Sequence, residues 1–170
     1  MRDPLADPEL LIRRVYAYVA YRIGDGPEAE DVTSETFERA LRYRDSFDSR
    51  RGDAAAWLIG IARRCIADSA LASQQTTDQV PDAETPERLE DAAAARVDMA
   101  RRLARLDERE RELLALRYGA DLTAKQIGEL LGLRTNAVEV ALHRALGTLR
   151  EQIEGEQRRP LGVEWVSQRP

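Results

Sequence analysis

The chain has 170 residues, which is enough for one domain or for two small ones. Its formal net charge of −5 argues against a protein coated in basic charge for non-specific binding to nucleic acid. Its one cysteine excludes an internal disulfide framework, and no apolar run approaches the ~20 residues of a membrane span, so we expect a cytoplasmic protein that does not enter membranes by itself.

Side chains that carry out catalysis are scarce in this composition. Cys65 and His143 are the only cysteine and histidine, and they lie far apart in the sequence. Zinc-binding, redox, nucleophile-elbow and phosphate-loop motifs are missing from it. Cys65 lies in an Ala/Ile-rich helical pattern, which favours buried packing over a role as a nucleophile. We therefore predict no catalytic residues, no metal ligands and no cofactor.

Helical periodicity runs through nearly every segment, and no segment alternates like a strand. The apolar spacing predicts a first helix over residues 8–23, and Pro27 is well placed in the first turn of a second helix. A break at residues 45–53 precedes a third helix. Within that helix the apolar spacing favours a core position for Trp57. The predicted fold class is all-α.

Four carboxylates lie on one side of the second predicted helix. Glu28, Asp31, Glu35 and Glu38 are spaced three or four residues apart, so they share a helix face opposite the apolar stripe. From the residues alone, a solvated face without a partner is the favoured interpretation.

The composition changes at residues 74–95, which are rich in Pro, Thr, Gln and Asp. Six acidic side chains oppose one arginine there, for a net charge of −5, and the apolar pattern of a core is missing. We predict a flexible, solvated and acidic linker between two small helical domains.

Two helix-start signals follow the predicted linker. Asp107 with Glu110, and Thr123 with Gln126, have the spacing of a capping box. Gly132 is the predicted C-cap of the helix that Thr123 begins. A last helix follows after a short turn. Helix, glycine-bearing turn and helix are typical of a helix-turn-helix that reads the DNA major groove, which the spacing favours over an ordinary helical hairpin.

Three segments occur in a fixed order: EAEDVTSETFERA, then AAAWLIGIARR, then LARLDERERELLALRYGADLTAKQIGELLGLRTNAVEVALHRALGTLR. Together they resemble, over residues 8–154, the extracytoplasmic-function class of bacterial sigma factors. The resemblance implies an alternative sigma factor that binds core RNA polymerase, directs promoter recognition and transcription initiation, and is not an enzyme. Because members of this class are often held inactive by an anti-sigma factor, such a protein is a candidate partner beside core polymerase and promoter DNA.

The resemblance also implies a domain organisation. Residues 1–73 resemble sigma domain 2, which binds core polymerase and opens the −10 element, and residues 96–154 resemble sigma domain 4, which reads the −35 element. Residues 74–95 would be the linker, since elements about 17 base pairs apart are separated by ~58 Å of B-DNA. Residues 155–170, rich in Arg, Gln and Pro, are expected to be a disordered tail.

The acidic face of the second helix matches the polymerase-docking helix of the family. Carboxylates there suit a basic partner, because complementary charge speeds and orients docking. The candidate polymerase-binding residues are Glu30, Asp31, Ser34 and Glu35.

Recognition of the −10 element is implied for residues 39–64. Seven arginines oppose three aspartates there, for a net charge of +4, which suits contacts to the backbone of a separated strand. In the family the loop equivalent to residues 46–53 captures a flipped base. The candidate −10 residues are Arg50, Arg51, Trp57, Arg63 and Arg64, with Arg63 and Arg64 favoured for phosphate contacts.

Recognition of the −35 element is implied for the last helix, with one departure from the family. The candidate residues are Arg134, Thr135, Asn136, Glu139, Val140, His143 and Arg144. A Lys-Ser-Arg-like triplet is common in the family where this chain has residues 139–141, Glu-Val-Ala. Asn136 can still pair with adenine, Glu139 with the cytosine amino group and Val140 with a thymine methyl. We expect weak DNA binding by the isolated protein and adequate binding in the holoenzyme, where tethering raises the effective concentration.

Two alternatives stay open at the level of the sequence. A stand-alone helix-turn-helix regulator would make the acidic helix an accident of solubility. A sigma-like protein that binds polymerase could instead have lost promoter recognition through the changes at residues 139–141.

Overall fold

The structure, a computed structural model, describes residues 4–50, 52–75 and 92–157. These ranges hold seven α-helices and no strand, which confirms the predicted all-α fold. The helices are α1 (Pro8–Ile23), α2 (Pro27–Arg42), α3 (Ala54–Gln75), α4 (Ala92–Ala104), α5 (Glu108–Leu114), α6 (Ala124–Leu131) and α7 (Thr135–Gln157). A 3-10 turn, Arg44–Ser46, follows α2, and a π-helical turn, Ala115–Gly119, continues α5. Helices α1–α3 are called lobe 1, and α4–α7 with the π turn are called lobe 2.

The three helices of lobe 1 pack against one another around an apolar core. α1 begins where the carboxylate of Asp7 accepts the N–H of Leu10 at 3.3 Å, and it ends at Gly24, whose φ of 99° suits glycine. Pro27 then opens α2, as the sequence predicts. Fully buried or nearly buried core side chains are Val15, Val19, Val32, Leu58, Ile59, Ala62 and Cys65.

Side-chain caps fix the helix starts of lobe 2. Asp107 accepts the N–H of Glu110 at 2.7 Å. Thr123 and Gln126 form a complete capping box, in which the backbone N–H of each donates to the side chain of the other, at 2.8 and 3.2 Å. Gly132 ends α6 in the left-handed conformation, with φ 69°. These capping predictions are confirmed, and Gly132 is the point at which the chain turns from α6 towards α7.

The limits of the linker and the tail differ in part from the predicted ranges. α3 continues to Gln75 and α4 begins at Ala92, so both ends of the predicted linker, 74–95, are helical. α7 continues to Gln157, so residues 155–157 of the predicted disordered tail are helical as well. The remaining linker residues, 76–91, and tail residues, 158–170, lie outside the described residues.

The two lobes are packed directly against each other, which the sequence did not lead us to expect. α1 lies along α5 and the π turn. At Gly119 the approach is so close that a Cβ there would lie 2.9 Å from Cα of Tyr18. The buried core therefore continues from Tyr18 in lobe 1 to Leu114 and Leu116 in lobe 2, which are at most 1% exposed.

Removal of the cap hydroxyl should weaken lobe 2. We expect Thr123→Ala to lower the free energy of unfolding by about 1 kcal/mol, because the backbone N–H of Gln126 loses its acceptor. Urea denaturation followed by circular dichroism measures the change. Thr123→Ser keeps the hydroxyl and serves as the matched control. An equal loss in both variants would contradict the capping argument.

The thiol of Cys65 should react slowly in the folded protein. Its side chain is buried, and burial raises the pKa of the thiol above its ordinary value. The thiol therefore stays protonated to higher pH than a free cysteine does, and we expect alkylation at pH 8 to be slower than that of the exposed variant Ala70→Cys by about tenfold or more. Mass spectrometry of iodoacetamide-treated protein checks this, and equal rates in the folded protein would contradict it.

Candidate nucleic-acid interface

The acidic face of α2 is directed away from the core of lobe 1. Glu30, Asp31 and Ser34 are exposed. Glu35 is partly buried because its carboxylate pairs with the guanidinium of Arg39, which also lies 2.7 Å from a carboxylate oxygen of Asp68. The four candidate docking residues therefore share a surface, but Glu35 is already engaged in a network inside the protein.

The loop between α2 and α3 carries part of the predicted −10 surface. The Arg50 side chain is exposed, and the backbone N–H of Arg50 donates to the Asp48 carboxylate at 3.0 Å. Arg51 lies outside the described residues. Phe47 and Trp57 form a tilted pair with ring centroids 5.4 Å apart. Trp57 packs partly against the core, as the sequence favours, yet it also lines a groove of about 440 Å³ with Phe47.

The positive tally of residues 39–64 overstates the charge available for DNA. Arg39 is neutralised by Glu35 and Asp68. Arg63 is also paired, with its Nε 2.9 Å from a carboxylate oxygen of Glu112 in lobe 2. Arg64 is exposed and lines the groove beside Trp57.

The carboxylate of Glu112 contacts three polar side chains at the boundary between the lobes. Its side chain is only 12% exposed. The hydroxyl of Tyr18 donates to the two carboxylate oxygens at 3.1 and 3.2 Å, and Nε of Arg22 lies 2.7 Å from one of them. Arg63 completes the cluster. Burial in the first place, and then the charge of Glu112, raise the pKa of Tyr18 above its ordinary value, so its hydroxyl stays a donor.

This cluster was not among the sequence predictions. A signal for it is nevertheless present, because Arg14, Tyr18 and Arg22 recur every four residues on α1 and therefore share one face. Glu108 and Glu112 have the same spacing on α5.

The start of α7 presents the predicted −35 residues to solvent. The exposed side chains are Arg134, Thr135, Asn136, Glu139, Val140, His143 and Arg144. Opposite them, Val138 and Ala145 are fully buried against lobe 2. Gly128 allows the turn to form, because a Cβ there would lie 2.6 Å from the carbonyl oxygen of Leu133. Both arms of a helix-turn-helix are thus in place, with the second helix exposed.

A groove of about 550 Å³ runs beside this exposed face. Arg134, Asn136, Val140 and Arg144 line it, together with Arg109 from α5. Arg109 was not among the sequence predictions. Arg109 thus places a cation beside the exposed face of α7, which itself has few positive charges.

Two further findings concern the described residues alone. Over residues 4–50, 52–75 and 92–157, none of the helices combines the length and apolar character needed to cross a membrane. The same ranges hold no cluster of three or more His, Cys, Asp or Glu side chains suited to a metal ion.

Comparison with known proteins gives this geometry a family. Residues 9–76 match the model of sigma-70 region 2, and residues 102–151 match that of sigma-70 region 4. The chain is 36% identical over 146 residues to the ECF RNA polymerase sigma factor BldN of Streptomyces coelicolor, a match that covers 79% of this chain and 54% of the length of BldN. It is 31% identical to the ECF RNA polymerase sigma factor SigL of Mycobacterium tuberculosis, with 80% of each chain covered.

A solved structure agrees in fold. The sigma factor RpoE of Bartonella quintana, crystallised with the anti-sigma factor NepR, matches with a TM-score of 0.70 at 18% identity, covering 85% of this chain and 92% of RpoE. Region 2 followed by region 4 defines a transcription initiation factor of the sigma-70 type. The chain belongs to the extracytoplasmic-function class of RNA polymerase sigma factors.

Proposed function

We propose that this alternative sigma factor docks on core RNA polymerase through the acidic face of α2 and reads promoter DNA with the α2–α3 loop, α3 and α7. One observation carries the proposal: a region 2 match with an exposed acidic helix precedes a region 4 match with an exposed reading helix in a single chain. Residues 1–73 would bind polymerase and the −10 element, residues 96–154 the −35 element, and residues 74–95 would link them, followed by the tail, 155–170.

The acidic face suits a basic partner surface on polymerase. Glu30, Asp31 and Ser34 are exposed and need no rearrangement to meet it. Exposed carboxylates opposite basic residues chiefly raise the association rate and fix the orientation of the complex. Glu35 contributes by holding Arg39 as well as by its own charge.

Charge reversal on this face should weaken docking. We expect Glu30→Arg with Asp31→Arg to weaken binding to bacterial core RNA polymerase at least tenfold, about 1.4 kcal/mol, because two charges change sign at the contact. Fluorescence anisotropy of labelled protein titrated with core polymerase measures the affinity. The pair is chosen over Glu35 because Glu35 is tied to Arg39.

Glu151→Arg with Glu154→Arg is the matched control for that experiment. Both residues are exposed on α7, and the change in net charge is the same. Wild-type binding that survives in the control and is lost in the α2 variant supports the proposal. Equal loss in both variants, or no binding by the wild type, would contradict it.

The −10 surface combines stacking side chains with exposed cations. Phe47 and Trp57 line one groove with Arg64, and Arg50 is exposed on the neighbouring loop. Bases of a separated strand stack on aromatic rings while arginines hold the phosphates. Arg51 and Arg63 remain proposed −10 residues, the latter once it is released from Glu112.

The −35 surface divides its side chains between base reading and phosphate contact. Asn136, Glu139 and Val140 are exposed and are proposed to meet base edges in the major groove. Thr135 is proposed to contact base or backbone with its hydroxyl. Arg134, His143 and Arg144 are proposed to contact phosphates, with Arg109 as an additional cation of the same groove.

Substitutions on α7 should separate the two kinds of contact. We expect Arg144→Ala to weaken binding of all sequences alike, because one phosphate contact is lost. The slope of log K against log salt concentration should fall by about one.

Asn136→Ala should relax the base preference at one position by about 1–3 kcal/mol. Selection of randomised duplex DNA by the reconstituted holoenzyme, repeated at several salt concentrations, measures both. A uniform loss from Asn136→Ala would contradict its proposed role in base reading.

Membership in the sigma factor family suggests three further properties. The chain is proposed to act in the cytoplasm, to catalyse no reaction of its own, and to have an anti-sigma factor as a partner. The last proposal is motivated by the complex of RpoE with NepR.

A further inference from the structure

The turn between α1 and α2 has glycine at two of its three positions. Gly24 has φ 99° and Gly26 has φ 134°, values that other residues rarely adopt. A Cβ at either position would meet nothing within 4 Å, so the requirement for glycine comes from the backbone conformation. Glycine loses more conformational freedom on folding than any other residue, so this turn needs further contacts to hold one conformation.

The first turn of α2 begins without a side-chain cap. Its N-cap residue is Gly26, which has no side chain to accept the free N–H groups of a helix start. Glu28 and Glu30 lie in this first turn, and the N–H of Glu30 donates to the carbonyl oxygen of Gly26 at 3.1 Å. The position of Glu30, a proposed docking residue, therefore depends on how the preceding turn is held.

One side chain of α1 reaches that turn. The hydroxyl of Tyr16 donates to the carboxylate of Asp25, the residue between the two glycines. Tyr16 is partly buried and packs against the apolar core, whereas Asp25 is exposed. The phenol side chain thus connects the core of lobe 1 to the centre of the turn.

The surroundings of the Tyr16 hydroxyl keep it a donor. Burial in the first place, and then the hydrogen bond to Asp25 and the charge of that carboxylate, raise the pKa of Tyr16 above its ordinary value. The charge of Glu30 acts in the same direction, so Glu30 lies within electrostatic reach of the same hydroxyl. The hydroxyl, the turn and the first carboxylate of the acidic face therefore occupy one small region of lobe 1.

We propose that Tyr16 is a positioning residue for docking on core RNA polymerase: its hydrogen bond to Asp25 holds the α1–α2 turn and thereby fixes the first turn of α2, where Glu30 lies. The inference rests on the proposed function, because it assumes that the acidic face of α2 contacts polymerase. A carboxylate that is already oriented needs no ordering on binding, whereas a mobile one loses conformational freedom at the contact. Loss of the hydroxyl therefore weakens docking without removing a charge.

The hydroxyl can be removed by itself. We expect Tyr16→Phe to weaken binding to core RNA polymerase about threefold or more, because the start of α2 must then be ordered on binding. Tyr21→Phe is the matched control, since Tyr21 is also partly buried on α1 and packs against the same core. Fluorescence anisotropy of the labelled full-length proteins titrated with core polymerase measures both affinities, and circular dichroism verifies that both variants are folded. An equal loss in both variants would overturn the proposal.

Two variants of Asp25 separate positioning from charge. Asp25→Asn keeps an oxygen that accepts the Tyr16 hydroxyl but removes the negative charge, and Asp25→Ala removes both. We expect Asp25→Asn to bind polymerase within about twofold of the wild type and Asp25→Ala to resemble Tyr16→Phe. Mass spectrometry verifies that the Asn-Gly sequence of the first variant has not deamidated. Equal losses in the two Asp25 variants would assign the effect to the charge and overturn the positioning role.

A double-mutant cycle tests whether Tyr16 acts through Glu30. Glu30→Gln removes the charge that the turn is proposed to place. We expect Tyr16→Phe, added to Glu30→Gln, to weaken binding further by less than about twofold, because the positioned charge is already absent. A contact that only stabilises the fold would weaken binding by the same factor in both backgrounds, and that additive result would overturn the proposal.

The outcomes distinguish this inference from the proposed function. Wild-type affinity in Tyr16→Phe, with docking that still depends on Glu30 and Asp31, would overturn the positioning role and leave the proposed function standing. No binding by the wild type, or binding that does not depend on Glu30 and Asp31, would overturn the proposed function and the positioning role with it.

Discussion

The close approach of Gly119 to α1 is the constraint on which the arrangement of the lobes depends. Once the two backbones meet, Tyr18 is fully buried and its hydroxyl needs an acceptor. Glu112 provides it, but a carboxylate that is 12% exposed needs cations of its own, which Arg22 and Arg63 supply. The steric requirement at Gly119 is therefore linked, through Tyr18 and Glu112, to the pairing of Arg63.

The contact between the lobes joins a polar cluster to a buried apolar core. An interface formed only by apolar side chains would, on opening, expose an apolar patch that is prone to aggregation. Tyr18, Arg22, Arg63 and Glu112 can instead all be hydrated when the lobes part, which lowers the cost of separation. Interfaces between domains of one chain are typically polar in this way, and relative motion is the usual expectation for them.

The helices and their ends could be predicted from the sequence because their signals are local. The caps at Asp107 and Thr123 and the glycine at residue 132 act within a few residues, and the structure confirms them. The exposure of the α7 side chains follows from helical periodicity. The contact between the lobes could not be predicted, since Tyr18 and Glu112 are 94 residues apart in sequence. Four-residue spacing identifies the polar face of each helix, but neither sequence indicates which other helix that face contacts.

Pairing of charges explains why a count of arginines overstates the free positive charge of residues 39–64. Arg39 and Arg63 both belong to the positive segment, yet each is held by carboxylates from another helix. The low positive charge of α7 and the pairing of Arg63 act in the same direction, because both reduce the number of unpaired cations at the proposed DNA surfaces. Tethering to a larger partner raises the effective concentration of DNA at such a surface and so offsets a shortage of cations. At positions 139 and 140 the sequence itself lacks a cation, whereas Arg63 is present and is paired with Glu112 of the other lobe.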